Sequence, residues 1–241
     1  MPERRSLCMI FNQFTPDMLD FLAENHLRNS KSWYDEHKDV YKKLVTEPFY
    51  ALVEEMSPHM LEIDPQFVTI PSKSVARVRR DTRFTKNKDL YRDHIWIVFR
   101  HPKKRLGSSL CYYFEIEQES WGYGVGYYDI PSAVREEYRQ MILHHDKHYL
   151  EARRALEQAP DFSLYGDPYK RPPYPDAPEE DRHWLNRKNI GASFSCEDYT
   201  TLFDGTFYDI MIANLKRIAP FYQFLRIAEE RVRRQSLEDH L

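Results

Sequence analysis

Cysteine is scarce in this chain: Cys8, Cys111 and Cys196 are odd in number, widely spaced and never in a CxxC pair. That excludes a disulfide framework and a zinc knuckle, and makes a reducing cytoplasm the simplest home. Glycine is scarce too, seven residues, and with 30% charged residues the composition argues against disorder. No apolar run approaches the roughly 20 residues that a spanning helix needs. The brief run from Leu7 to Phe11 is cut off by Asn12 and Gln13, so the N-terminus does not read as a secretory signal. GxSxG, GxxxxGK[ST] and a Cys with a recognisable His partner are all missing, which leaves no named catalytic motif to start from.

Rings are plentiful, with 17 Tyr and 14 Phe, and 241 residues are enough to bury a substantial core. Thr15-Pro16 predicts a helix start, followed by the stripe Met18, Phe21 and Leu22. Asn29-Ser30 restarts a helix through Trp33, Tyr34, Tyr41 and Val45, an aromatic stripe of the kind that usually belongs to a core. Glu47-Pro48 is expected to punctuate it before a third helix through Met60.

From Pro71 the period changes to two. Strands are predicted over Val75 to Arg80, Ile95 to His101, Leu110 to Gln118 and Trp121 to Asp129, with the short link Lys103 to Ser109 indicating an antiparallel hairpin. Helices resume after Pro131, broken or bent near His144 to His148. Residues 160–178 hold six of the 15 prolines and three tyrosines, a rigid extended excursion packed onto the body. Lys188 to Cys196 returns a strand, and two C-terminal helices follow. The expectation is one α+β domain over residues 1–241, its mostly antiparallel sheet covered by N-terminal and C-terminal helices.

Charge of one sign gathers in a single place. Lys73 to Arg92 carries eight basic residues against Asp81 and Asp89, a local +6 in a chain of net charge −3. Arg77 and Arg79 would share a strand face, and the guanidinium fork suits phosphate or carboxylate. The alternative is structural: Glu115 and Glu117 share a face of a later strand and would pair with those arginines, while Asp81 would orient Arg83. Gly122, Gly124 and Gly126 leave one strand face bare, to be filled by rings from Trp96 or the proline-rich loop, or to serve as a ligand floor. His144 and His148 lie four apart, but no third ligand accompanies them, so a solvated helix end is the simpler reading and no metal is expected.

At Arg80-Asp81-Thr82-Arg83-Phe84 with Lys88 and Tyr91, the chain resembles a widespread family of microbial proteins of unknown function, usually labelled conserved hypothetical proteins. Phe14-Thr15, Asn29, Trp33-Tyr34, Tyr41, Pro48 and the glycine strand extend the match nearly end to end. Leu90 stands where the family usually has proline, and Tyr34 where it often has Phe. The resemblance implies a compact α+β fold and makes Arg80 to Tyr91 the segment to test, without supplying a reaction, a cofactor or an oligomeric state.

Three readings follow. The favoured one is a pocket for an anionic or phosphorylated small molecule, built from Arg77, Arg79, Arg80, Arg83, Lys88 and Tyr91 beside Gly124, with Asp81 or His94 as the nearest proton-transfer candidates. The second is a non-enzymatic module contacting nucleic acid or a protein partner through the same patch, with Tyr91, Tyr123 and Tyr127 as stacking surfaces; the negative net charge counts against it. The third keeps the arginines as structural ion pairs. No membrane partner is expected.

Overall fold

The computed structural model describes residues 11–83, 86, 88–102 and 108–238. Expectations placed on Cys8, on Phe84 and on most of the Lys103 to Ser109 link lie outside the described residues. The architecture is the expected α+β one, with a five-stranded antiparallel sheet in the order β1-β2-β3-β5-β4. Its strands are β1 (Ile95–Arg100), β2 (Cys111–Ile116), β3 (Trp121–Gly126), β4 (Ser163–Tyr165) and β5 (Gly191–Cys196). Among the described residues, no helix is long and apolar enough to cross a membrane.

Helix α1 (Pro16–Arg28) starts at a proline whose missing N–H costs nothing there, buries Met18, Phe21, Leu22 and Asn25, and stops where Asn29 turns left-handed at φ 46°. Thr15 is the N-terminal flanking residue, although its side chain makes no capping bond. Helix α2 (Lys31–Glu36) is capped by Ser30, which accepts from the Trp33 N–H at 3.4 Å. Helix α3 (Lys38–Tyr41) runs through a π-helical turn (Lys42–Thr46) into α4 (Glu47–Ile63). Glu47-Pro48 therefore marks a change of helical register rather than a break: the Glu47 N–H bonds to the Lys42 carbonyl across the π-helical turn, and Pro48 follows in the first turn of α4, where its missing N–H costs least. The short α5 (Pro71–Ser74) leads into the basic stretch.

Helices α6 (Ser132–Leu143) and α7 (Lys147–Glu157) are separated where His145 adopts φ 50°. His144 Nδ1 lies 2.7 Å from the Gln140 carbonyl and His148 Nδ1 lies 2.9 Å from Asp146 Oδ1, so each imidazole is engaged locally. The proline-rich excursion carries β4 and ends at α8 (Glu179–Leu185). Helices α9 (Thr200–Asp204), α10 (Phe207–Arg217) and α11 (Ala219–Glu238) complete the chain's regular elements.

The fold comprises two compact units, neither contiguous in sequence. The first takes the chain to Phe99 together with Tyr113–Gly122 and Cys196–Ile212. Its core centres on Phe14, whose ring lies 4.9 Å from Phe49, 5.8 Å from Phe114 and 5.9 Å from Phe207. Trp121 meets Phe207 edge-on and donates its indole N–H to the Asp198 carbonyl at 2.8 Å. The second takes Arg100–Tyr112, Tyr123–Ser195 and the chain from Ala213 on. There Tyr123 stacks on Phe194 at 4.8 Å and accepts from Asn214 Nδ2 at 2.8 Å, while α11 lies along α6 and α7. At the end of the glycine strand, a Cβ at Gly126 would strike the Gly191 Cα and the Tyr165 hydroxyl, and on β5 one at Gly191 would strike the Tyr165 ring. Tyr165, from the proline-rich excursion, thus covers the bare strand face at Gly126.

Candidate functional site

The basic stretch forms an irregular hairpin rather than a regular strand. Val75 bridges Ile97 and Arg79 bridges Tyr91, both antiparallel, so four steps on one side match six on the other. The extra length falls around Asp93-His94 and bulges the chain there. Backbone bonds hold the two sides: Ala76 N–H to the Trp96 carbonyl at 2.9 Å, Arg80 N–H to Leu90 at 2.8 Å, Arg92 N–H to Val78 at 2.9 Å. Val78 is buried, whereas Arg77 and Arg79 on either side of it are exposed.

The arginines divide into two groups. Arg83 grips Asp81 with two bonds, Nε to Oδ1 at 2.9 Å and a terminal N–H to Oδ2 at 2.7 Å, and its backbone N–H adds a third. These donors hold the Asp81 carboxyl down at about 2, so it stays ionised and is a poor proton carrier near neutrality. Lys88 donates to the Thr82 carbonyl at 2.8 Å, and Arg92 donates to the carbonyls of Arg77 and Arg79 at 2.7 and 3.2 Å. Those three cations brace the loop. Arg77, Arg79 and Arg80 do not: among the described residues, no carboxylate lies within ion-pair distance of any of them. The alternative pairing with Glu115 and Glu117 is not formed among the described residues, because the backbone partner of Val75 to Arg80 is the segment from Leu90 to Ile97, not the glutamate strand.

Tyr91 is buried and stacks on Tyr34 of α2 at 4.9 Å. Burial holds the Tyr91 phenol above its ordinary value, the charge of Arg79 working against it and that of Asp35 with it. The rest of the anchoring comes from α1. Asn29 Oδ1 accepts from the Leu90 N–H at 2.6 Å, Asn29 Nδ2 reaches Asp89 Oδ1 at 3.4 Å, and His26 Nδ1 lies 2.9 Å from the Tyr91 carbonyl. Sequence motifs some 60 residues apart, Asn29 with Trp33-Tyr34 and Arg80 to Tyr91, thus meet in one place.

Beyond the bulge, His94 Nδ1 sits 2.8 Å from Asp93 Oδ1, its ring stacks on Trp96 at 5.4 Å, and the Arg92 guanidinium covers the Trp96 ring at 5.0 Å. Glu115 lies on β2, and Gln118 just beyond that strand donates its Nε2 N–H to the Asp93 carbonyl at 2.8 Å. Burial, then the neighbouring Glu117 charge, pushes the Glu115 carboxyl up to about 7. A carboxyl poised there exchanges protons readily at neutral pH, as the low-lying Asp81 does not. Glu115 was one of two alternative carboxylate partners for Arg77 and Arg79, and which segment lies beside those arginines is set by the bridges Val75–Ile97 and Arg79–Tyr91. Gly124 is buried in the second unit.

Fold and hairpin together define a class: an α+β protein in which the first helices and the basic stretch join at Asn29, Tyr34 and Tyr91. The chain belongs to the conserved hypothetical protein family DUF2461, whose model matches residues 17–224. No curated protein matches it.

Proposed function

We propose that the first unit binds an anionic small molecule, most fittingly a phosphorylated one, at the exposed Arg77 and Arg79, with half-buried Arg80 next in the chain, beside the Tyr34–Tyr91 pair. One observation carries this reading: three guanidinium groups stand without a carboxylate partner among the described residues, while Arg83, Lys88 and Arg92 are committed to bracing the backbone that presents them. Leaving like charges adjacent and unmatched opposes folding, and a bound anion relieves that repulsion. Arg92 registers the strain, since burial and then the nearby charge of Arg80 lower its proton affinity. Arg83, Lys88 and Tyr91 then act as supports rather than direct ligands. Proton transfer on a bound molecule would fall to Glu115 or His94 rather than Asp81.

Isothermal titration with nucleotides, sugar phosphates and carboxylates tests the reading. A phosphorylated compound should bind the wild type and lose at least tenfold in affinity in Arg77→Ala/Arg79→Ala, the loss expected of about 1.5–3 kcal/mol for charge-assisted bonds. Silence across the panel, or binding indifferent to the double substitution, overturns it. A mixed oligonucleotide pool run alongside gives the contrary outcome: binding that falls steeply with salt would move the assignment to nucleic acid.

A further inference from the structure

The second unit contains a cavity of about 400 Å³ lined by its own residues. Its size falls within the range of small-molecule sites. Pro131, Val134 and Val232 supply apolar wall, and Arg226, Glu229 and Arg233 come from α11, where spacings of three and four turn them to one side of the helix.

The floor is fixed. Glu229, its side chain only 8% exposed, accepts a hydrogen bond from the Tyr127 hydroxyl and lies 3.6 Å from Arg226, which also reaches Glu230 at 3.1 Å. Tyr127 is wholly buried, and burial together with the Glu229 charge raises its phenol far above the ordinary value, so the hydroxyl remains a donor at any working pH. Glu229 is therefore held between a phenol and a guanidinium and is poorly placed to receive a cation as well. Charge at the rim points the other way. Arg233 is exposed and, among the described residues, in no ion pair, and His101 also lines the space. The first turn of α6 borders the cavity at Val134, and its N-cap, Pro131, offers no side-chain cap to that turn's N–H groups.

We infer that this cavity binds a small organic monoanion, a carboxylate on a short apolar body, with the carboxylate at Arg233 and the body against Val134, Pro131 and Val232. The single negative charge fits the one guanidinium of the described lining that no carboxylate meets, Arg233, since Arg226 is taken up by Glu229 and Glu230.

The test uses the full chain and a set of six-carbon probes: hexanoate, hexanol, hexylamine and hexyl phosphate, followed by ligand-observed NMR and thermal shift. Hexanoate should bind and raise Tm, with hexanol and hexylamine at least tenfold weaker. Arg233→Ala, a surface change that leaves the core untouched, should weaken hexanoate at least tenfold, and Val134→Phe should abolish binding by filling the space. Arg77→Ala/Arg79→Ala should leave it unchanged, so failure here is separable from failure of the phosphate reading. Equal binding of hexanol, no binding of hexanoate, or hexanoate affinity untouched by Arg233→Ala would each overturn the inference, as would hexyl phosphate outcompeting hexanoate.

Discussion

Glu115 is where a single side chain's environment and its chemistry are most tightly linked. Its folded-state carboxyl lies near 7, well above the value of about 4.5 for a free glutamate, so the native state holds a proton that the unfolded chain has already lost between those pH values. Stability from this group is present in full below about 4.5 and is lost as pH rises through 7. Glu115→Gln keeps the shape and removes the titration. Its denaturant-determined stability should therefore change less with pH than that of the wild type, and above pH 7 it should exceed the wild type by about 1 kcal/mol, a figure discounted for partial exposure. If the wild type and variant run parallel from pH 5 to 8, the assignment fails. The same residue marks the limit of reading the sequence. That Asp81 orients Arg83 was legible, since two residues in one turn can reach each other without help from the fold. That Glu115 would stand apart from Arg77 was not, because alternation tells which residues share a face but not which strand lies alongside.

Period and punctuation marked the longer helices and the strands β1, β2, β3 and β5, and two departures among the strands have a common cause. The tripeptide β4 is too short for alternation to register, and it sits among prolines that argue against a strand; it exists because β5 offers it a partner, with Tyr165 opposite Gly191. The predicted strand at Val75 to Arg80 likewise became two isolated bridges because its partner bulges at Asp93-His94, a mismatch that neither segment shows alone. Gly191, the first residue of β5, gives a direct test of the packing that results. A methyl at Gly191 would meet the Tyr165 ring, so Gly191→Ala should destabilise by about 2 kcal/mol, the usual scale of overpacking. In a Tyr165→Ala background the same substitution should cost much less, a non-additivity readable in a double-mutant cycle. Additive effects would mean that the ring is not what fills the space.

At the scale of the whole molecule, the order of helices, strands and helices made the α+β class legible, but the division into two interleaved units was not. It arises because Cys196–Ile212 returns, after the entire central sequence, to complete the first unit. Phe207 is the reason that return matters: its ring lies 5.7 Å from Phe11, 5.9 Å from Phe14, 5.6 Å from Phe114 and 5.8 Å from Trp121, and it is itself buried. Burying one such ring contributes about 1.5–3 kcal/mol, and its removal from a packed core costs about 3–5 kcal/mol, a large share of a domain's net stability. A fragment ending at Gly122 would keep Arg77 and Arg79, the Tyr34–Tyr91 pair and Glu115 while exposing the ring cluster that Phe207 covers. Such a fragment should melt without a cooperative transition and bind a hydrophobic dye, whereas the full-length Phe207→Ala variant should still melt cooperatively at lower temperature. Cooperative melting of the fragment would mean that the first unit needs nothing from the far end of the chain.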